Sequence, residues 1–490
     1  MKIDEILKKC SVSHYVQKIK NFTVKGISFN SKAIKENFIF AVVKGSRDNG
    51  EKYLKDLIKL NNIGIIVGEE YQLKKDHRDL LIIKTRDVRS LAGEIASIIY
   101  PNCINEKIAI TGTNGKTSIS HYVSELSSNQ KISNCIFGTL GIIFNNKRIL
   151  NTDLTTNESI INHKYMNELS KRNCKRVIFE ASSIGLDQKR LQNIKFDKIA
   201  ITNLTMDHLD YHKTFKKYRY SKSLLFRKHC HKNTIVVINA DTSESNYFKK
   251  ISQKKNLTVL DYGKKAKYLR LLKFEKVKNR FDVNISINDK NFVLSFNCSA
   301  IYQIYNQICA LLLVYGKNLI NEEIKNINLS DPDGRLEKVY DSDNKRIFID
   351  YAHTPDALKN VLSSLSEDIK GRLIIVFGCG GDRDSSKRSL MTKEAIKFCD
   401  KIYLTSDNPR NESLKNIFED MKKGILKKNL ENISTINNRK IAIEKAIKDL
   451  KNGDVLLIAG KGHENYQIIK NKRIPFSDKK IILDRLSLNE

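Results

Sequence analysis

Short apolar runs alternating with amphipathic stretches recur along the whole chain. Runs at 38–43 and 63–67 read as buried strands with a helical pattern between them. Tyr100-Pro101-Asn102 punctuates the end of this first block. A second block opens with an apolar strand at 107–111. A helix is predicted next, burying one face through Ile119, Tyr122, Val123 and Leu126. Strands at 177–183 and 199–204 follow, each ending in polar residues, and Asp331-Pro332-Asp333-Gly334 forms a strong turn signal. Beyond it, strands at 346–351, 373–377, 401–405 and 455–459 alternate with helical patterns, the order of a doubly wound sheet. The pattern predicts α/β structure throughout, in three domains at 1–103, 104–331 and 332–490.

Composition narrows the classes. A chain of 490 residues with 40% hydrophobic residues and only 22 Gly and 5 Pro is expected to be globular and too long for one core. No run approaches the roughly 18 apolar residues of a spanning helix, so no membrane insertion is expected. Residues 1–16 lack the continuous apolar core of a secretory signal. The 9 cysteines are scattered with no C-x-x-C pair, which points to a reducing, cytoplasmic setting rather than a disulfide framework. The net charge of +32 raises nucleic-acid binding as a class. The excess is mostly Lys, spread along the chain beside many Asn and Ile, so codon composition accounts for it and no nucleic-acid partner is expected. The charge still favours anionic substrates.

The sharpest motif is Gly112-Thr113-Asn114-Gly115-Lys116-Thr117-Ser118, between an apolar strand and a helix. That context gathers backbone N–H groups and a helix N-terminus around a phosphate, with Lys116 adding charge and the Thr117 hydroxyl suited to Mg²⁺. The spacing is shorter than the usual phosphate-loop pattern, because Ile110 stands at the first glycine position.

Other polar residues are ambiguous by themselves. Glu180 at a strand end suits either a cation or a salt bridge. His208, in Asp207-His208-Leu209-Asp210-Tyr211-His212, is a possible metal ligand, although Mg²⁺ prefers oxygen. Lys222 is one lysine among many. Asp407-Asn408-Pro409-Arg410 alone reads as a β-turn, since Asn-Pro favours one.

Together, these segments resemble the Mur ligase superfamily over essentially the full length. The likeness is strengthened by Asp350-Tyr351-Ala352-His353-Thr354-Pro355-Asp356, Phe377-Gly378-Cys379-Gly380-Gly381-Asp382-Arg383-Asp384 and Ala459-Gly460-Lys461-Gly462-His463-Glu464. Within the superfamily the series is most similar to members that add meso-diaminopimelate. The resemblance implies a UDP-sugar-binding domain, a central ATP-binding domain and a C-terminal Rossmann-like domain. It implies a monomeric, ATP-dependent ligase of peptidoglycan synthesis, joining meso-diaminopimelate to the D-Glu of UDP-N-acetylmuramoyl-L-alanyl-D-glutamate through an acyl phosphate.

It also assigns roles. Gly112 to Ser118 with Asn306 and Arg335 would bind ATP. Thr117, Glu180, His208 and Lys222, the last as a CO₂-derived carbamate, would hold Mg²⁺, and Lys116, Lys222, His208 and Glu180 would be catalytic. Phe29, Ser31, Ser46, Arg47, Asp48, Thr155, Thr156, Ser182, Gln188 and Arg190 would hold the UDP-muramoyl dipeptide. Arg383, Asp407, Asn408, Pro409, Arg410, Gly460 and Glu464 would hold meso-diaminopimelate, an Arg fork taking its distal carboxylate and Asp its ammonium. The chain departs from the family pattern at Lys32, Asn157, Ile184, Ala300, Tyr302 and Gln303, and in Asn-Glu-Ser-Leu after Arg410. A lysine-adding ligase would lack the Arg410 fork, and a folylpolyglutamate-type ligase the N-terminal block. A phosphate-loop nucleic-acid-binding protein would leave the third block's motifs unexplained.

Overall fold

In the computed structural model, three largely parallel sheets follow one another along the chain. The structure describes residues 1–18, 22–43, 50–57, 59–60, 62–72, 80–277, 280–321, 326–342, 344–367 and 369–487. Ser46, Arg47 and Asp48 lie outside the described residues.

The first sheet contains β1 (Tyr15–Lys18), β2 (Gly26–Ser28), β3 (Phe38–Ala41), β4 (Gly64–Gly68) and β5 (Leu81–Thr85), in the order β1-β5-β4-β3-β2. Only β1 runs antiparallel to its neighbour. Both faces are buried, which is why β3 and β4 read as apolar runs, while β5, interrupted by Lys84, did not stand out. Ile39, Ile66 and Ile83 pack under the helix Val88–Ile99, and Phe40, Ile65 and Ile82 face Leu54 and Leu57. The helical pattern expected between β3 and β4 is met, among the described residues, by the short turns Gly50–Tyr53 and Leu54–Leu57.

The central sheet has twelve strands. Its parallel heart comprises β6 (Glu106–Thr111), β7 (Asn134–Gly138), β10 (Arg176–Glu180), β11 (Phe196–Ile201), β12 (Cys230–Asn239) and β13 (Thr258–Gly263), in the order β13-β12-β11-β6-β10-β7. Antiparallel β8 (Gly141–Phe144) and β9 (Lys147–Leu150) extend one edge. At the other, β14 (Leu269–Val277), β15 (Arg280–Ile287) and β16 (Lys290–Phe296) form a meander that leads to β17 (Asn326–Ile327). The helices Lys116–Asn129 and Ile301–Tyr315 cover one face and Phe215–Lys228 the other.

The third sheet contains β18 (Glu337–Ser342), β19 (Lys345–Asp350), β20 (Leu373–Phe377), β21 (Lys401–Thr405), β22 (Ile433–Ile436) and β23 (Val455–Ala459). Its order is β18-β19-β23-β20-β21-β22, parallel except for β18 at the edge. A hairpin of β24 (Tyr466–Ile469) and β25 (Lys472–Pro475) follows. All nine cysteines are free. Among the described residues, no helix is long and apolar enough to cross a membrane.

Candidate active site

Seven of the segments singled out in the central and C-terminal blocks lie just beyond the C-terminal end of a parallel strand. Gly112 follows β6, Ser182 β10, Asn203 β11, Tyr351 β19, Gly378 β20, Asp407 β21 and Gly460 β23. Open parallel sheets bind ligands at this end.

The phosphate loop turns on two glycines. Gly115 caps the helix at φ 87°, and a Cβ there would stand 2.7 Å from Asn306 Oδ1. At Gly112, a Cβ would fall 1.8 Å from Thr202 Oγ1. The residues just after β11 supply the clamp: the Thr113 and Asn114 amides donate to Asn203 O and Oδ1 at 3.0 and 2.9 Å, and Thr202 Oγ1 donates to Asn114 O at 2.6 Å. Lys116 Nζ lies back over the loop, donating to Gly112 O at 2.8 Å and Thr113 O at 2.9 Å. Burial lowers its pKa, against the fields of Glu180 and Asp207.

Two domains meet at this loop. Asn114 Nδ2 donates to Asp356 Oδ2 at 3.1 Å, and Arg335 Nη2 to Thr117 Oγ1 at 3.4 Å. The Arg335 guanidinium also stands 4.4 Å from the Tyr351 ring centroid. Asn114, Gly115, Ser118 and Asn306 share one cavity with Arg335 and His353, so the expected ATP contacts from both domains converge.

Glu180 is 1% exposed and accepts from Thr117 Oγ1 at 2.9 Å and from the amide and hydroxyl of Thr139 at 3.0 and 2.9 Å. Among the described residues, no cationic side chain pairs with it. Lys222 is equally buried on the helix Phe215–Lys228, and its Nζ donates to Gly112 O at 2.7 Å with no carboxylate partner among the described residues. Burial, then the nearby Lys116, push its pKa well below the ordinary lysine value, favouring the neutral amine. His208 adopts a left-handed backbone at φ 55°, with its ring Nε2 3.5 Å from Asp207 Oδ2. Burial lowers the His208 pKa, while Asp207 opposes the shift.

Asp207 itself is buried and accepts from Lys387 Nζ of the C-terminal domain at 3.2 Å. Burial alone would raise its carboxyl, but Lys387, His208 and His353 outweigh that effect and hold it well below the usual range. No group of three or more unmodified His, Cys, Asp or Glu side chains suited to a metal occurs among the described residues. The donor set would therefore be a hydroxyl, a carboxylate without a cationic partner among the described residues, an imidazole and a buried amine whose pKa is pushed down. An oxygen-seeking cation fits it once the amine carries an oxygen anion.

A second cluster surrounds the short helix Ser183–Asp187. Thr156 Oγ1 donates to Glu180 O at 2.8 Å and shares a 2.9 Å hydrogen bond with Ser182 Oγ. Arg190 donates to Thr156 O at 2.9 Å and Gln188 Oε1 at 2.7 Å, and Thr155 Oγ1 lies 3.2 Å from Thr139 Oγ1. Phe29 joins from the first domain: Arg89 lies over its ring at 5.5 Å and pairs with Glu158, which also faces Arg190 at 3.4 Å. Ser31 opens the turn Ser31–Ala33 two residues further on.

The third cluster belongs to the C-terminal domain. Arg410, at φ 52°, donates through Nη1 to Gly381 O at 2.9 Å and Asn408 O at 3.3 Å. Burial, then the neighbouring Arg383, lower its pKa against the fields of Asp407, Glu464 and Asp382, and Arg383 itself stands 3.8 Å from Asp210 of the central domain. Asn408 Nδ2 donates to Glu464 Oε2 at 3.0 Å, and a Cβ on Gly460 would lie 3.4 Å from Asp407 Oδ2. The Pro409 carbonyl accepts from the Glu412 amide at 3.1 Å, closing the turn.

Sequence reasoning had not singled out Asp207, Lys387, Thr139 or Asp356 as partners. Asp207 and Asp356 lie within the Asp207–His212 and Asp350–Asp356 motifs but carry no separate signal there. Lys387 is one basic residue among 87 and carries no local signal.

Residues 110–314 match the family description "Mur ligase middle domain", and residues 334–462 match "Mur ligase, glutamate ligase domain". A UDP-N-acetylmuramoyl-L-alanyl-D-glutamate--2,6-diaminopimelate ligase of Rickettsia montanensis is 35% identical over 480 residues, covering 96% of this chain and 98% of that relative. A protein of the same name from Aquifex aeolicus is 36% identical over 469 residues, 94% of each chain. The solved structure of another ligase of this name superposes with a TM-score of 0.66 at 28% identity, covering 100% of this chain and 99% of that one. A MurF ligase from Thermotoga maritima in complex with ADP has a TM-score of 0.63 over 96% and 98% of the two chains; at 16% identity it shows the shared fold alone.

Proposed function

Since the chain belongs to the Mur ligase family of ATP-dependent amide-forming enzymes, we propose that it joins meso-diaminopimelate to the D-Glu of UDP-N-acetylmuramoyl-L-alanyl-D-glutamate. The reaction builds a peptidoglycan precursor. One juxtaposition supports this reading above others: the phosphate loop and the Asp407–Arg410 turn stand on two parallel sheets whose ligand-binding ends are tied together by Asn114–Asp356 and Lys387–Asp207.

On this reading residues 1–103 hold the UDP group, with Phe29 and Ser31 joined by Ser46, Arg47 and Asp48. Thr155, Thr156, Ser182, Gln188 and Arg190 hold the dipeptide beside Glu180. Residues 104–331 bind the ATP phosphates, and residues 332–490 present the amino acid. Lys222, a buried amine whose pKa is pushed down, is suited in its neutral form to take up CO₂: its nitrogen bonds to carbon, a proton leaves to water, and an anionic carbamate results. That carbamate, Glu180, His208 and the Thr117 hydroxyl would hold Mg²⁺, which when bound supplies positive charge to the phosphate oxygens.

An oxygen of the D-Glu γ-carboxylate attacks the γ-phosphorus, the bond to ADP breaks, and an acyl phosphate forms. Lys116 leaves the Gly112 and Thr113 carbonyls to neutralise the transferring phosphate. The amine of meso-diaminopimelate, held by Arg383, Asp407, Asn408, Arg410, Gly460 and Glu464, then attacks the acyl carbon. The tetrahedral adduct expels phosphate and loses a proton, leaving the amide. The interdomain ties exclude water that would hydrolyse the acyl phosphate.

The test is phosphate release with ATP, Mg²⁺ and the UDP-muramoyl dipeptide, with meso-diaminopimelate or L-lysine, and product masses. Amide product with meso-diaminopimelate alone is expected. Product with L-lysine would keep the ligase and overturn the reading of the Asp407–Arg410 turn. No product with either would overturn the substrate assignment.

A further inference from the structure

Lys461 is wholly buried in the wall of the amino-acid cluster. Its Nζ lies 2.9 Å from Glu464 Oε2, 3.4 Å from Asp407 Oδ1 and 3.3 Å from Asn408 Oδ1. It therefore touches both carboxylates assigned above to the amino-acid substrate. Asn408 completes the unit, donating to Glu464 Oε2 at 3.0 Å and accepting from the Ile468 amide at 2.9 Å.

Asp407 and Glu464 carry two negative charges, and Lys461 cancels one of them inside the protein. Two further buried cations nearby are neutralised in place, Arg439 by Asp478 at 2.7 Å and Arg388 by Glu412 at 2.5 Å. The cluster thus presents one net negative charge beside the guanidinium groups of Arg383 and Arg410. A side-chain terminus bearing one ammonium and one carboxylate matches that pattern. A terminus bearing only an ammonium satisfies the single negative charge but leaves Arg410, which has no carboxylate partner among the described residues, unmatched, whereas Arg383 already stands 3.8 Å from Asp210.

We propose that Lys461 is a specificity-determining residue whose buried ammonium sets the charge of the amino-acid pocket, so that a zwitterionic side-chain terminus is preferred to a purely cationic one. The proposal rests on the amino-acid site assigned above. Without Lys461 the pocket would hold an additional net negative charge, and discrimination against L-lysine would fall even though both arginines remained.

The experiment compares kcat/KM for meso-diaminopimelate and L-lysine in the full-length enzyme, with KM for ATP as an internal reference. Lys461→Met is expected to lower the preference for meso-diaminopimelate at least about tenfold, through KM for the amino acids, with KM for ATP little changed. Lys461→Arg, which keeps the charge, retains most of the preference. The variant Lys461→Met/Glu464→Gln removes one charge of each sign and keeps more preference than Lys461→Met. If Lys461→Met does not fold, the Arg variant and the charge-balanced pair decide: preference retained in both supports the proposal, and preference lost in either overturns it. A parallel fall for both amino acids in Lys461→Met also overturns it and leaves Lys461 a purely structural cation. A wild-type enzyme that uses neither amino acid would instead overturn the underlying substrate assignment.

Discussion

Lys387 of the C-terminal domain donates to the buried Asp207 carboxylate of the central domain at 3.2 Å, beside the loop that carries Lys116. The contact joins the domain that would hold the nucleotide to the domain that would hold the amino acid. Asp207→Asn leaves Lys387 without its charge partner, and a loss of about 3 kcal/mol in stability is expected for so buried a pair. Because the folded carboxyl is held below its ordinary value, its contribution is complete above about pH 4 and disappears as pH falls through the folded value. Urea titrations of wild type and Asp207→Asn should therefore differ by a constant amount from pH 8 to about pH 5, then converge in acid. A gap that persists unchanged to about pH 2 would show that the charge is not its source.

Lys222 gives a prediction that separates stability from activity. Its amine is buried against Gly112 O without a carboxylate partner among the described residues, so Lys222→Met removes a desolvated polar group at nearly constant volume. The variant is expected to fold at least as stably as wild type and to lose ligation by about a thousandfold or more. In CO₂-free buffer the wild-type amine binds fewer protons folded than unfolded. Wild-type stability then rises with pH up to about 10.4, and the Met variant flattens that rise. Near-normal turnover in Lys222→Met would refute a metal-organising role.

The parallel strands were legible because both of their faces are buried, which leaves uninterrupted apolar runs such as Leu373–Phe377 and Val455–Ala459. The antiparallel edges were not read, although their turns were visible. Asn145-Asn146 joins β8 to β9 and Asn288-Asp289 joins β15 to β16, with positive φ at all four residues, the geometry of two-residue hairpins. In a chain so rich in Asn and Lys these pairs do not stand out. The loop carrying Lys116 declared itself through glycine and strand context. Lys222, Lys387 and Lys461 look alike in sequence, and burial alone distinguishes Lys222 and Lys461 from solvated lysines.

Arg410 spends Nη1 on two backbone carbonyls, Gly381 O and Asn408 O. Those bonds aim the fork and leave it, among the described residues, without a paired carboxylate, as a binding site for a carboxylate requires. Arg410→Ala should lower kcat/KM for meso-diaminopimelate by about a hundredfold while leaving KM for ATP near wild type. Arg410→Lys should recover little, because a single ammonium cannot span the two carbonyls and a bidentate carboxylate together. Steady-state kinetics with each substrate varied in turn will decide. A matching rise in KM for ATP would mean that the turn supports the whole cleft rather than the amino acid.

Arg439 and Asp478 form an ion pair with no solvent exposure on either side chain. Arg439 also donates to Ala459 O at 3.0 Å and Ser406 O at 3.5 Å, the residues that precede Gly460 and Asp407. One guanidinium thus fixes the spacing of the two strand ends that carry the amino-acid cluster. Arg439→Met alone strands a buried carboxylate and should destabilise the protein by about 3–5 kcal/mol. Replacing both partners, Arg439→Met/Asp478→Leu, removes the stranded charge and should restore most of that loss, since apolar substitutes for buried pairs are often neutral or better. The carbonyl bonds are not restored, however. The repaired variant is therefore expected to show a raised KM for meso-diaminopimelate at unchanged KM for ATP, with urea unfolding close to wild type. If both kinetic constants recover with stability, the pair holds the fold and has no part in positioning the amino acid.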